Sequence, residues 1–128
     1  MAGTDGWEVH FHDEFEGEFD LLPEAVQDEL LARAGLLRRF GPQLGRPAAD
    51  TLKGAAHANM KELRFDAADG VWRVAYAFDP NRRAILLVAG NKAGVAEGRF
   101  YRDLVRRADA RYAAHLAQQG GRDKRKGK

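Results

Sequence analysis

The sequence predicts an α+β domain in which helices pack on one face of a small antiparallel sheet. Three observations lead there. A short alternating strand precedes two amphipathic helices, three strand-length apolar runs separated by turn residues follow, and a long helical periodicity closes the chain.

The elements can be justified in order. Trp7 to Phe11 alternates apolar and polar side chains, as a short first strand does. Asp13 is suited to cap a helix, and Phe15, Phe19 and Leu22 follow at i, i+4 and i+7; Gly17 weakens that helix. Pro23 stands where a first helical turn tolerates proline, and it opens a second helix reaching Phe40. Val26, Leu30, Ala34 and Leu37 make its apolar stripe, with acidic residues early and Arg38 and Arg39 late, as the helix dipole prefers. Gly41-Pro42 stops it, and the glycines and prolines up to Ala58 predict a connecting loop. Strands are expected over Asn59–Asp66, Val71–Phe78 and Arg83–Asn91, joined by tight turns into an antiparallel meander. The last helix, Ala96 to Gln118, carries Phe100, Tyr101, Leu104, Val105, Ala108 and Tyr112 on one side. Gly120-Gly121 is expected to end it. The chain is thus one domain over 1–119 and a basic, disordered tail over 120–128.

A chain of 128 residues with 45% hydrophobic and 31% charged residues suits one globular domain. It has no cysteine, so disulfides and thiolate metal sites are excluded, in keeping with a reducing cytoplasm. The first residues lack the basic-then-apolar order of a signal peptide. The longest apolar run, Ala84 to Gly90, is a strand's length rather than the roughly 20 residues that span a bilayer, so no membrane role is expected. The net charge of +2 hides an asymmetry: residues 1–50 carry −7 and residues 51–128 carry +9. A basic second half can attract phosphate.

The strand Val71–Phe78 is the most informative stretch. Trp72, Val74, Tyr76 and Phe78 share the core-facing side, which puts Arg73 on the opposite, solvent-facing side between Val71 and the small Ala75 and Ala77. Leu63 and Phe65 likewise send Glu62 and Arg64 to the side of Arg73. A carboxylate and two arginines on one face can be a weak surface ion-pair cluster, or a grip for phosphate with a proton acceptor beside it. Lys92 and Tyr101 can complete the same concave surface. His10, His12, His57 and His115 lack metal-ligand spacing, and His57 is a lesser candidate acid or base. Arg99, Arg102 and Arg106 stand at spacings of three and four on the last helix. With Arg107 and Arg111 beside them they form either a solvated face, partly paired through Asp103 and Arg107, or a track for RNA phosphates.

Leu52-Lys53-Gly54, Glu62-Leu63-Arg64, Val71 to Tyr76, Ile85 to Lys92, Phe100-Tyr101 and Ala108-Asp109, in this order and spacing, resemble the RelE/HigB superfamily of toxins, in its phage-derived HigB-like branch. The resemblance runs from Trp7 to Leu116. It implies a RelE-like fold and a metal-independent, cofactor-free endoribonuclease that cleaves messenger RNA, usually on the ribosome. It also implies silencing by a helix-turn-helix antitoxin. The family pattern implies catalytic roles for Arg64, Arg73, Lys92 and Tyr101 and a basic contact at Lys61; by its chemistry Glu62 is the candidate base, and Lys53, Arg99, Arg102 and Arg106 are the further candidate RNA contacts. Two departures stand out. Glu62 occupies a position where RelE-like members have lysine, which puts proton transfer in doubt, and Lys92 stands alone where many HigB-like members have a lysine pair. The alternatives are a ParE-like inhibitor of DNA gyrase that cleaves nothing, and a non-catalytic RNA-binding module.

Overall fold

The computed structural model describes residues 6–126, with side chains through Gln119. The chain forms β1 (Glu8–Phe11), α1 (Asp13–Asp20), α2 (Glu24–Phe40), a 3-10 turn (Gly41–Gln43), β2 (Ala49–Thr51), β3 (Lys61–Ala67), β4 (Gly70–Phe78), β5 (Arg83–Asn91) and α3 (Glu97–Lys126). The α+β class holds, and β5 has the bounds its apolar run predicts. Two local expectations do not hold: the connecting loop contains β2, and α3 passes through Gly120-Gly121. The expected disordered tail over 120–128 lies outside the residues whose side chains are described.

The five strands lie in the order β1-β5-β4-β3-β2. β2 to β5 pair antiparallel, as the meander predicts, but β1 pairs parallel with β5, so the sheet is mixed rather than wholly antiparallel. The cause is topological. The chain leaves β1 through two helices, starts again at the far edge, and returns in β5 running in the direction of β1.

Helices cover both faces of the sheet, not one. On the first face Phe15 of α1 and Val26, Leu30 and Leu37 of α2 pack on Leu63, Val74, Tyr76 and Leu86. On the second, Phe100, Leu104, Ala108 and Tyr112 of α3 pack on Ala75, Ala77, Ile85 and Leu87. The small Ala75 and Ala77 lie under α3, where the sequence suggested open sheet. Small side chains shorten the distance at which a helix can seat on a sheet, and the apolar stripe of α3 needs a surface to bury. Arg73 is therefore buried, only 6% exposed, rather than solvent-facing.

Local chemistry fixes the ends. The Glu14 amide donates to His12 Nδ1 at 3.1 Å, so His12 and not Asp13 caps α1. Burial, helped by the Arg111 charge against the opposing Glu14, pushes His12 below its ordinary value, which keeps that nitrogen an acceptor. α2 ends at Gly41, whose φ of +57° suits glycine, and a Cβ there would fall 2.3 Å from the Trp7 ring.

Candidate active site

Arg73 lies opposite Arg64 on β3 and opposite Gly90 on β5. Gly90 matters because a Cβ there would sit 2.8 Å from the Phe100 ring. Its absence lets the first turn of α3 settle onto the sheet, which brings the Tyr101 hydroxyl to Arg73. Arg73 Nε donates to that hydroxyl at 3.1 Å and Nη1 donates to the Trp72 carbonyl at 2.9 Å. Two of the three guanidinium nitrogens are thus held by the fold, and Nη2 has no acceptor among the described residues.

Glu62 is 3% exposed and lies between the two arginines. Its Oε2 accepts from Arg64 Nη1 at 2.8 Å, while Oε1 stands 3.9 Å from Arg73 Nε and makes no hydrogen bond. A carboxylate so enclosed holds guanidinium groups in place more readily than it takes a proton from a substrate. Burial pushes the Tyr101 phenol above its ordinary value; its bond from Arg73 acts against this, and the Glu62 charge adds to it. Tyr101 therefore stays protonated at neutral pH. Lys92 Nζ lies 5.7 Å from the centre of the Tyr101 ring and pairs with Glu97 at 3.1 Å.

The Arg73–Tyr101 bond joins a wall residue of one cleft to a wall residue of another. One, of roughly 680 Å³, runs between the Lys53-Gly54 turn and α3, and its walls include Lys53, Arg99, Tyr101, Arg102 and Arg106. The other, of roughly 1200 Å³, lies between α2 and the end of β3, and its walls include Arg64 and Arg73. Eight of the ten residues singled out from the sequence, all but Lys61 and Lys92, thus line a cleft or join the buried cluster, and Lys92 stands beside Tyr101. Lys61 is the exception: it is in phase with Leu63 and Phe65, and so belongs to the opposite sheet face.

Several charged side chains of α3 have structural partners. Asp103 pairs with Arg106 at 2.5 Å, not with Arg107, which instead reaches Glu18 at 3.6 Å. Arg111 is buried and not part of a solvated face: it grips both Glu18 oxygens, at 2.9 and 2.6 Å, and donates to the Leu87 carbonyl. Asp109 accepts from the Ala56 amide at 2.8 Å and from His57 Nδ1 at 3.0 Å, pinning the loop before β3 to α3. His57 is thereby oriented two turns of α3 beyond Tyr101. Asp109 stands in one of the motifs quoted above, but the bonds that tie Asp79 to His115 and Asp109 to His57 gave no signal in the sequence, because these partners lie 36 and 52 residues away.

Among the described residues no group of three or more His, Cys, Asp or Glu side chains is arranged to hold a metal, and no helix is long and apolar enough to cross a membrane.

Comparison with known proteins gives three findings. The family model described as "Phage derived protein Gp49-like" matches residues 17–113. Two proteins of Mycobacterium tuberculosis (strain ATCC 25618 / H37Rv) are similar. "Putative toxin HigB2" is 44% identical over 98 residues, which is 76% of this chain and 48% of that protein. "Putative toxin HigB3" is 44% identical over 86 residues, 67% of this chain and 73% of that protein. The chain therefore spans about half the length of the first relative. No solved structure gives a significant match. The matched region holds both arginines, Glu62, Lys92 and Tyr101, and on that footing the chain belongs to the phage-derived Gp49-like family, alongside proteins named as HigB toxins.

Proposed function

We propose that the chain is the toxin of a toxin–antitoxin pair and acts as an endoribonuclease on messenger RNA at the ribosome, in the cytoplasm. The observation that carries this reading is Arg73, a buried guanidinium in the wall of the cleft between α2 and β3, held at Nε and Nη1 with Nη2 left over. Such a group costs little reorganisation when a phosphate arrives, and preorganised donors of this kind supply much of the stabilisation of developing charge. The substrate's 2′-hydroxyl attacks the adjacent phosphorus as its proton passes to water, the bond to the 5′-oxygen breaks with that oxygen taking a proton from water, and a 2′,3′-cyclic phosphate and a free 5′-hydroxyl result. The nucleophile belongs to the RNA, so the step requires no bound cofactor. Arg73 and Arg64 neutralise the phosphoryl oxygens, and Glu62 positions both. Tyr101 orients Arg73 and offers its ring beside Lys92. Lys53, Arg99, Arg102 and Arg106 supply sequence-independent phosphate contacts along the adjoining cleft. A helix-turn-helix antitoxin is the expected silencing partner.

A translation extract tests the reading. Added protein should stop synthesis and leave cut message, mapped by primer extension. Intact message with unchanged synthesis would reject the nuclease, and loss of plasmid supercoiling instead would select the gyrase-inhibiting alternative.

A further inference from the structure

Trp7 immediately precedes β1, and its ring is placed by three contacts. It meets Phe78 edge-on with ring centres 4.8 Å apart, and it fills the space that a Cβ on Gly41 would need. The Arg82 guanidinium carbon lies over it, 4.2 Å from the ring centre. Arg82 rises from the turn between β4 and β5, where its φ is +62° and its amide donates to Asp79 O at 3.2 Å. A residue with a side chain seldom takes that φ, and such positions collect at binding sites. Alongside, at the end of α2, Arg39 lies over the ring of Phe40 at 5.3 Å, and Phe40 is 44% exposed. The two arginines and two rings line one cleft of roughly 410 Å³, with Pro42 and Gln43.

This cleft has a charge surplus. Among the described residues neither Arg39 nor Arg82 has a carboxylate partner, and no acid lines the cleft. The adjoining acids are engaged elsewhere, Glu8 with His10 at 2.7 Å and Asp79 with Arg83 at 3.1 Å. The neighbouring cleft between α2 and β3 differs, because there Arg33 pairs with Glu29, Arg46 with Asp50 and Arg64 with Glu62. A guanidinium over an aromatic ring is steadied by the ring, while its planar fork of donors remains available to phosphate. Both arginines are thus ordered before a ligand arrives, and little rotamer freedom is lost on binding. The exposed ring of Phe40 adds a face on which a base can stack.

Phe40 and Gln43 are wall residues of both clefts, so one chain can run from the first into the second. Gly90 lies opposite Arg73, and the strand from Arg83 to Gly90 spans about 23 Å. That separation is too long for a single phosphate group and suits a run of a few nucleotides. We propose that the cleft between Trp7 and Phe40 is a further binding site for single-stranded RNA. Arg39 and Arg82 hold backbone phosphates there, a few nucleotides from the bond that Arg73 addresses. The inference rests on the nuclease reading for the identity of that strand.

The test uses the full chain and a fluorescent 2′-O-methyl uridylate of about twelve nucleotides, within the range that single-strand sites cover. Its blocked 2′-oxygen cannot attack, so anisotropy reads binding alone. Arg39→Gln together with Arg82→Gln should weaken binding by at least about tenfold. The slope of log affinity against log salt should fall by about 1.4, from two phosphate contacts at roughly 0.7 each. Arg38→Gln is the control, since Arg38 stands at the same helix end without lining the cleft, and it should change affinity little. All three side chains are exposed, so the melting temperature should stay at the wild-type value. No binding by the unaltered chain, an unchanged affinity in the double variant, or an equal loss in Arg38→Gln would overturn the proposal. Inorganic phosphate that displaces the RNA at an ionic strength where chloride does not would overturn it too and make the cleft a free-anion site. So would polyglutamate of equal charge that binds with the same dependence on Arg39 and Arg82, which would leave a general cationic patch. Message cleavage in the translation extract tests the nuclease reading separately, and its absence would leave RNA binding at Arg39 and Arg82 measurable.

Discussion

Three residues carry sharply different consequences. Arg73→Ala should lower RNA cleavage on the order of a hundredfold, the usual effect of losing one preorganised charge-stabilising donor. It should also destabilise the fold, because the Trp72 carbonyl and Tyr101 hydroxyl lose their donor in a buried place. A melting curve beside the cleavage assay separates the two effects. A fully active Arg73→Ala protein would remove the central assignment. Glu62→Gln distinguishes positioning from proton transfer. An enclosed bridge between arginines predicts a lower rate with an unaltered pH–rate profile, whereas a base predicts a changed profile. Tyr76 is fully buried and its hydroxyl has no partner. Burial also pushes that phenol well above its ordinary value. Tyr76→Phe should therefore raise stability, by about 1 kcal/mol in chemical denaturation, since it removes an unsatisfied buried hydroxyl with almost no change in volume.

At the scale of elements, the turn between β4 and β5 is tied to α3 through Asp79. Its carboxylate accepts from the Asn81 and Arg83 amides, from Arg83 Nε, from His115 at 3.0 Å and from Gln119 at 2.8 Å. Tyr112 adds a bond to the Phe78 carbonyl at 2.9 Å. Burial works against the Asp79 charge, but the bonds from His115, Arg83, Gln119 and Asn81 outweigh it, so its carboxyl lies below the usual range. A folded value below the unfolded one means that this stabilisation is present above the unfolded value and is lost as pH falls through the folded one. Stability should hold near neutrality and drop below about pH 4, the ordinary carboxylate region. Asp79→Asn should lower neutral-pH stability by on the order of 2 kcal/mol and flatten the acid limb of a plot of melting temperature against pH. An unchanged acid limb would assign acid sensitivity to other carboxylates.

For the molecule as a whole, the acidic first part and the basic second part meet as well as segregate. Residues 1–30 contain ten carboxylates and no Lys or Arg, which makes that part an unsuitable surface for RNA. Yet Glu18 of α1 is held by Arg111 and Arg107 of α3, so the two helical layers are joined by charge at the side of the sheet. The Arg111 bond holds the Glu18 carboxyl below its ordinary value. Arg111→Ala removes this clasp and the bond to Leu87 O. It should cost about 2 kcal/mol, allowing for the partial exposure of Glu18, and leave RNA affinity nearly unchanged. A loss of RNA binding without loss of stability would instead place Arg111 on the nucleic-acid surface.

The sequence by itself determined the local elements and the residues on which a site could be built. The helix of Val26, Leu30, Ala34 and Leu37 and the strand of Arg83–Asn91 follow from period and stop signals, which act over a few residues. The side of Glu62, Arg64 and Arg73 follows from strand alternation in the same way. Family membership was legible because the spacing of short motifs survives in one dimension. Only the tertiary structure decided that β1 runs parallel to β5, that α3 covers the second face, and that Arg73 is buried against Tyr101 rather than presented to solvent. It also decided that Arg111 serves as a clasp, whereas the facing of Lys61 follows from its phase with Leu63 and Phe65. Alternation says which side chains share a face; it does not say what lies on that face. That depends on contacts between residues far apart in the chain, such as Gly90 making room for Phe100, and on which small side chains let a helix come down.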